Sequence, residues 1–548
     1  MPDSLSSGDT EECSIVGGSQ GSIQGSPQFD DILRIIPFNS KAKKAFHDLN
    51  VQRDTLDEHH RQYLVTTGKG VLAKENGRRA RADGETTNDE SEDEDEPDET
   101  IDVIQGYFRV NLECPCFSGA LKWIIGRGSG KIYGPTRNVD ILLAVPGSRE
   151  TRGLKAAHAF LRMHPRSGVW MLYAGQEGEE KTASVQLDGK PIWHHEFHCL
   201  SQPRSLLELA GLQFQIQFAI DTPEKESRYV SCRDLKLAAE NIRVPCTGIS
   251  GIPFGSDVKL VSAVLRHGLG SGSFGTVFEG YDPYSGDLRA IKRLSIKTER
   301  DRRLTHDEIF AHEALNNHPG IVQLYDWCTS LGGQSMELCQ YPFEVYLVQE
   351  KGVAFNRVAW SQKQSIDWGL KRNLFRQLLE GLCEIHDKEW IHRDITPMNM
   401  LFFDVESKHA AIFDFGKISF TKTARETNLA AWQYLPPEIE KDKSQVYGQK
   451  IDIWMLGLAL VCCWLPELIQ GLKPRLEENH TILLQRLAME NVSGISELLS
   501  KMLSWNASSR PSAQDAFTDP CLRNIAIDEA EVASGPTSPS QVSKRTKH

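Results

Sequence analysis

The stretch Ile391-His392-Arg393-Asp394-Ile395-Thr396-Pro397-Met398-Asn399-Met400-Leu401 decides how this chain is read. A carboxylate, Asp394, is followed five positions later by an amide, Asn399. An acid that orients a hydroxyl and accepts its proton, beside an amide oxygen that holds a cation, would occupy those places. Downstream, Asp414-Phe415-Gly416 supplies a second oxygen ligand, and Pro436-Pro437-Glu438 ends 24 residues beyond Asp414. The apolar run Ile453–Leu465 is shorter than the ~20 residues of a bilayer span and begins beside Asp452, so it reads as a buried helix. Arg510-Pro511 offers an arginine to pair with Glu438. Upstream, Phe375–Leu382 with Ile385-His386 has helical apolar spacing.

Further toward the N-terminus, Gly270-Ser271-Gly272-Ser273-Phe274-Gly275-Thr276-Val277 fits G-x-G-x-x-G-x-V, where glycine lets backbone N–H groups press against phosphates. Ala290-Ile291-Lys292 follows at strand spacing, an ammonium for phosphate charge beside a small residue that would line an adenine slot. A carboxylate must hold that lysine. Glu308, on an expected helix Thr305–Leu315, is the choice, with Glu313 the alternative nearer the helix end. Each motif alone is ordinary turn, loop or core sequence. Their joint order over about 240 residues is not a product of chance.

Residues 261–523 thus resemble the eukaryotic protein kinase family. The resemblance implies an α+β fold of two lobes with ATP and Mg²⁺ in the cleft between them. It assigns Asp394, Lys292 and Glu308 to catalysis. Gly270, Gly272, Gly275, Val277, Ala290, Lys292, Glu350 and Leu401 fall to the nucleotide, and Asn399 and Asp414 to the metal. The hinge is expected after Val345–Glu350, with Gln349 guarding the adenine pocket and Leu401 as its floor.

Two positions depart from the pattern. Serine/threonine members carry lysine two residues after the catalytic Asp, where this chain has Thr396, and threonine where it has Ala431, ahead of Tyr434. The family's lysine steadies the transferring phosphoryl group, and a buried charge of that kind is worth a few kcal/mol, about 10²–10³ in rate. Thr396 retains a hydroxyl that can donate to Asp394. The tyrosine-kinase arginine four after the Asp is Met398 here. Family frequency favours serine and threonine as acceptors, and the alternative is a pseudokinase scaffold that binds partners without catalysis. Arg393 before Asp394 suggests activation by a phosphate on the segment, with Ser419, Thr421, Thr423 and Thr427 as candidates.

Residues 104–221 read as an all-β sandwich, from short runs such as Tyr107–Leu112, Trp123–Gly126, His158–Met163 and Phe214–Ile220 between turn signals. This unit resembles a forkhead-associated (FHA) domain through Gly126-Arg127 with Ser129, through His158, and through Leu187-Asp188-Gly189 where that family has Asn-Gly. The resemblance implies binding of phosphothreonine-containing proteins, with Arg127 and Lys155 clamping the phosphate. Lys155 stands where the family has serine, and Asp188 cannot donate as asparagine does.

The rest of the 548 residues frames these two units. Residues 1–103 are expected to be mostly disordered, with a linker at 74–100, although Asn39-Ser40 reads as the cap of a short helix through Ala45, Phe46 and Leu49. In the run Asp89–Glu99 nine of eleven residues are acidic, so most of the net charge of −12 sits there. What remains offers no field for nucleic acid, and a nucleic-acid partner is not expected. Residues 222–260 read as a polar connector and 524–548 as a disordered tail whose Lys544–Lys547 is a weak nuclear signal. Twelve scattered cysteines suit reduced thiols, and neither Cys114-Pro-Cys116 nor the histidines before Cys199 have the paired spacing of a zinc site. The expectation is an intracellular protein, nuclear or cytoplasmic, that acts on proteins and not at a membrane.

Overall fold

The computed structural model describes residues 31–73, 100–114, 116–117, 121–129, 139–175, 185–193, 196–239, 250–253, 258–272, 275–358, 367–403, 408–425, 429, 431–439, 446–490 and 494–523. The N-terminal stretch, the acidic run and the C-terminal tail lie outside these. The described residues form two compact units, one drawn from Met1–Met163, Leu172–Glu196 and Pro203–Val244, the other from His164–Met171, Phe197–Gln202 and Pro245–His548. Among them no helix is long and apolar enough to cross a membrane.

The first unit is β-rich, as expected, but it starts far earlier than residue 104. A seven-stranded sheet has the order Leu64–Ala73, Thr100–Val110, Leu33–Pro37, Leu212–Phe218, Arg204–Leu209, Val185–Leu187, Lys190–Ile192. Leu33–Pro37 therefore sits inside the sheet. Ile35 faces Phe108 on one side and Ile216 on the other, and is fully buried. Asn39 caps the helix Ser40–Val51 by accepting from the Ala42 N–H at 2.9 Å, and Ala42, Ala45, Phe46 and Leu49 are buried beneath it. Residues 31–73 are thus folded core and not part of a disordered leader. The pairing of Leu33 with Phe218 spans most of the unit, which no local reading of the sequence can see. A second sheet, of five strands, is built around Lys122–Gly126, Ala159–Met163 and Trp170–Ala174.

The connector assigned to 222–260 also contains structure. Pro223–Ala239 is a helix that buries Tyr229, Arg233 and Leu237, a stripe at spacing four. Its Lys236 donates to the Leu112 carbonyl, tying it to the β unit.

The second unit begins with a six-stranded sheet, ordered Val258–Lys259, Val264–Gly272, Gly275–Tyr281, Leu288–Ile296, Phe343–Glu350, Leu324–Thr329. One long helix accompanies it, Glu299–Leu315. It starts six residues earlier than expected because Thr298 and Asp301 form a reciprocal capping box, at 3.2 and 2.9 Å. The helical part that follows is organised by Trp368–Asp387, which buries Leu374, Phe375, Leu378, Leu379, Leu382 and Ile385 along one face. Lys450–Trp464 is buried almost all round, the apolar run read above as a core helix. Two strands, Met400–Phe403 and His409–Ile412, form a hairpin that carries the expected site residues at its edges.

Because Ile35 lies mid-sheet, Ile35→Ala should lower the stability of the β-rich unit by about 2–5 kcal/mol, read by urea titration. An unchanged midpoint would mean that residues 31–73 are only a spacer.

Candidate active site

Lys292 lies on the strand Leu288–Ile296, and its Nζ touches Glu308 Oε1 at 2.6 Å and Asp414 Oδ1 at 2.7 Å. Three separate segments therefore meet on one lysine that is only 6% exposed. Burial alone would depress its pKa, but the carboxylates of Asp414 and Glu308 outweigh burial and hold it above the ordinary lysine range. The lysine in turn holds the Asp414 carboxyl below its usual range despite burial. Of the two glutamates considered, Glu308 is the one in contact with Lys292, while Glu313 accepts from the Trp327 indole at 3.0 Å.

The loop around Asp394 is fixed from below. Asp452, fully buried, accepts from the His392 N–H at 2.8 Å and the Arg393 N–H at 2.9 Å, and its Oδ2 lies 3.0 Å from His386 Nε2. Arg393 and Asp414 both have left-handed backbones, φ 68° and 67°. Such conformations cost about 1–3 kcal/mol each and persist only where surroundings over-determine them. Asn399 donates from Nδ2 to the Asp394 carbonyl at 2.9 Å, which leaves its amide oxygen as the end able to ligate a cation. The Phe413 N–H donates to the Asn399 carbonyl at 3.1 Å, so Asn399 adjoins the residue before Asp414. A carboxylate and an amide oxygen are hard ligands of the type Mg²⁺ takes.

The glycine-rich segment is a hairpin in which Gly270 pairs with Val277 and Gly272 with Gly275. Ser273 and Phe274 at its tip lie outside the described residues. At Gly275, φ is 141° and a Cβ would meet the Arg293 carbonyl oxygen at 2.2 Å, so the fold itself demands glycine. At Gly270 a Cβ would meet nothing within 4 Å. Packing does not require glycine there, whereas a phosphate pressed against the backbone would. Ala290 pairs with Gln349, and Glu350 follows on the same strand, its N–H donating to the Gln323 carbonyl at 2.9 Å. A Cβ on Gly352 would meet Leu401 Cβ at 2.9 Å, which puts the expected hinge against the expected floor.

Three contributors escaped the sequence reading. His312 lies under Gln349: its Nε2 donates to the Val322 carbonyl at 2.6 Å and its Nδ1 accepts from Gln349 Nε2 at 3.3 Å. Phe415 packs edge-on to it, with ring centroids 5.2 Å apart. Burial pushes the His312 pKa down to about 4. Asp452 was visible only as the start of an apolar run. Lys417, directly after Asp414-Phe415-Gly416, places Nζ 3.1 Å from Asp394 Oδ2 and 2.9 Å from the Leu429 carbonyl. Thr396, where the family has lysine, is buried.

Arg393 reaches across to the segment after Gly416 and to Tyr447. It donates to the Lys417 carbonyl, to the Ile418 carbonyl at 2.9 Å and to the Tyr447 hydroxyl at 3.5 Å. Of the segment's hydroxyls, Ser419 is buried with its Oγ 2.9 Å from Thr421 Oγ1, and Thr427 lies outside the described residues. Glu438 and Arg510 form a two-pronged pair, at 2.6 and 2.7 Å.

In the β-rich unit Arg127 and Lys155 are neighbours. The Arg127 N–H donates to the Lys155 carbonyl at 3.1 Å, and Arg127 Nε to the Leu154 carbonyl at 2.8 Å. His158 is fully buried and its Nδ1 accepts from the Lys155 N–H at 3.1 Å, a structural role. Asp188 holds a turn at φ 50° and accepts from the Leu206 N–H at 2.7 Å. Residues 130–138 and 176–184 beside them lie outside the described set.

Residues 264–522 match the protein kinase domain family, and this half of the molecule is a protein kinase domain. The chain is similar to the serine/threonine-protein kinase chk-2 of Caenorhabditis elegans, 31% identical over 207 residues, which covers 36% of this chain and 42% of the relative. It is similar also to the interferon-induced, double-stranded RNA-activated protein kinase of Rattus norvegicus, 32% identical over 209 residues, 35% of this chain and 39% of the relative. The chain thus spans less than half the length of these relatives. Among solved structures, Rad53 1-466 in complex with AMP-PNP aligns over 73% of this chain and 91% of its own, with 17% identity and a TM-score of 0.40.

The buried neutral His312 gives a pH prediction. Its folded pKa lies below the ordinary value of 6.5, so the unfolded chain binds a proton that the folded one refuses as pH falls from about 6.5 toward 4. Its contribution to stability is complete above 6.5 and is lost on acidification. Thermal melts from pH 7.5 to 5 should fall less steeply for His312→Gln than for the native chain. Parallel slopes would contradict this.

Proposed function

We propose that this protein transfers the γ-phosphoryl group of ATP, with Mg²⁺, to serine and threonine hydroxyls of other proteins. The single observation behind this reading is the Lys292 ammonium held at once by Glu308 and Asp414. That arrangement brings the helix Glu299–Leu315 and Asp414 to the strand Leu288–Ile296. In this reading Lys292 receives the phosphates, and the Gly270–Gly275 backbone covers them. The adenine lies between Ala290 and Leu401, bonded to the backbone near Glu350. Asn399 and Asp414 hold Mg²⁺, which when bound neutralises charge on the phosphates. Asp394 orients the acceptor hydroxyl and takes its proton as the oxygen attacks phosphorus.

The β-rich unit, in the same proposal, docks partners that carry phosphothreonine. Arg127, directly after the strand Lys122–Gly126, and Lys155, in the loop before the strand Ala159–Met163, would form the phosphate clamp. Residence in the nucleus or the cytoplasm fits both parts.

Purified protein should phosphorylate itself and a generic basic protein in the presence of Mg·ATP, with phosphoserine and phosphothreonine as products. Asp394→Asn should reduce the rate by at least about 10²-fold while nucleotide affinity holds. Nucleotide binding without transfer by the native chain would instead favour a scaffold that uses ATP only to stabilise its fold, the outcome that Thr396 and Ala431 leave open. Loss of phosphothreonine-peptide binding in Arg127→Ala tests the docking half independently.

A further inference from the structure

We propose that Lys417 supplies the positive charge that the catalytic loop lacks at Thr396. This rests on the kinase reading above. The motif position occupied by lysine in serine/threonine kinases holds a neutral, buried side chain here. An ammonium nonetheless reaches the same carboxylate from a different segment: Lys417 Nζ sits 3.1 Å from Asp394 Oδ2, with only a tenth of the lysine side chain exposed.

The placement is built into the backbone. Ile391 and Ser419 form an antiparallel bridge, N–H to carbonyl in both directions at 3.0 and 2.8 Å, which lays the segment after Gly416 beside the catalytic loop. Arg393 donates to the carbonyls of Lys417 and Ile418 and so fixes the residue from which the ammonium projects. A second contact of the ammonium, Nζ to the Leu429 carbonyl at 2.9 Å, holds it in place. A four-carbon side chain confined at both ends in this way loses little further freedom when it acts.

The chemistry follows from that position. The acceptor hydroxyl oxygen forms a bond to the γ-phosphorus and gives its proton to Asp394. The bond from that phosphorus to the β–γ bridging oxygen breaks, and its electron pair leaves with ADP. Negative charge is then spread over the γ-oxygens while the hydroxyl adds more. Lys417, already resting on the acceptor's base, lies where that charge develops and needs no reorganisation to meet it. It touches the phosphoryl group in this proposal and is therefore a catalytic residue, with Thr396 left to packing.

The test moves the charge back. Steady-state kinetics of the full chain with ATP and a basic protein substrate would compare the native protein with Lys417→Ala, Lys417→Arg and the double variant Thr396→Lys/Lys417→Ala. Affinity for Mg·ADP, with and without aluminium fluoride as a transition-state mimic, gives a readout separate from turnover. Lys417→Ala should lower kcat by about 10²-fold with little change in KM for ATP. It should bind Mg·ADP normally but lose the extra affinity that aluminium fluoride confers. Thr396→Lys/Lys417→Ala should recover at least about tenfold of kcat, although it cannot restore the bond to Leu429, and Lys417→Arg should retain most of the rate. Native-like or increased turnover in Lys417→Ala overturns the inference and leaves the kinase reading intact. A fall that Thr396→Lys does not reverse, with a matching loss of melting temperature, also overturns it, because Lys417 would then be only a strut for the segment. A native chain that binds nucleotide yet neither transfers phosphate nor gains affinity from aluminium fluoride sinks the kinase reading itself.

Discussion

One buried ammonium organises the second half of this molecule. Lys292 has two carboxylates within 2.7 Å and is nearly excluded from solvent, so losing the lysine would strand both Glu308 and Asp414. Removing one partner of such a group typically costs about 3–5 kcal/mol. That figure rivals the whole margin by which many domains are folded, about 5–15 kcal/mol. The sheet, its long helix and the segment from Asp414 onward are consequently tied together at this point by electrostatics, alongside the apolar packing of Ile309 against Leu294 and Leu347. The apolar core supports this from outside: His312 and His392 flank Phe415 and are kept neutral by burial, so the wall behind Asp414 carries no competing positive charge.

The catalytic loop depends on a second buried carboxylate used differently. Asp452 does not face the cleft. It accepts the N–H groups of His392 and Arg393, the residues just before Asp394, and this compensates the left-handed backbone at Arg393. Because Asp452 opens a helix buried on nearly every side, the loop inherits the rigidity of the core. Strain at Arg393 and Asp414 thus marks the two places where side chains must be aimed against the local preference of the chain.

What could be read from sequence divides along a physical line. The kinase motifs are short, local and chemically distinctive, so Lys292, Glu308, Asp394, Asn399 and Asp414 were legible, and so was the Glu438–Arg510 pair. Segment boundaries were legible only where the signal was local, as at the Asn39 cap. The extent of the β-rich unit was not, because Leu33–Pro37 is a strand by virtue of partners that arrive far later in the chain. The charged stretch between the two parts of that sheet disguised their continuity. The helix Pro223–Ala239 was missed for a related reason: its buried stripe is thin and includes Arg233, so composition alone made it look like a connector.

Lys417 shows why a departure at one motif position is weak ground for declaring a site dead. A motif records which residue supplies a charge, whereas the reaction responds only to where the charge is. Thr396 lies on the loop that bears Asp394, and Lys417 lies on the segment that the Ile391–Ser419 bridge sets beside that loop. Two backbone routes therefore end at one carboxylate, and the chain has used the second. A lysine at both positions would bring two ammonium groups toward the same oxygens, where like charges repel. The neutral Thr396 accordingly leaves the Asp394 carboxylate open to the ammonium of Lys417.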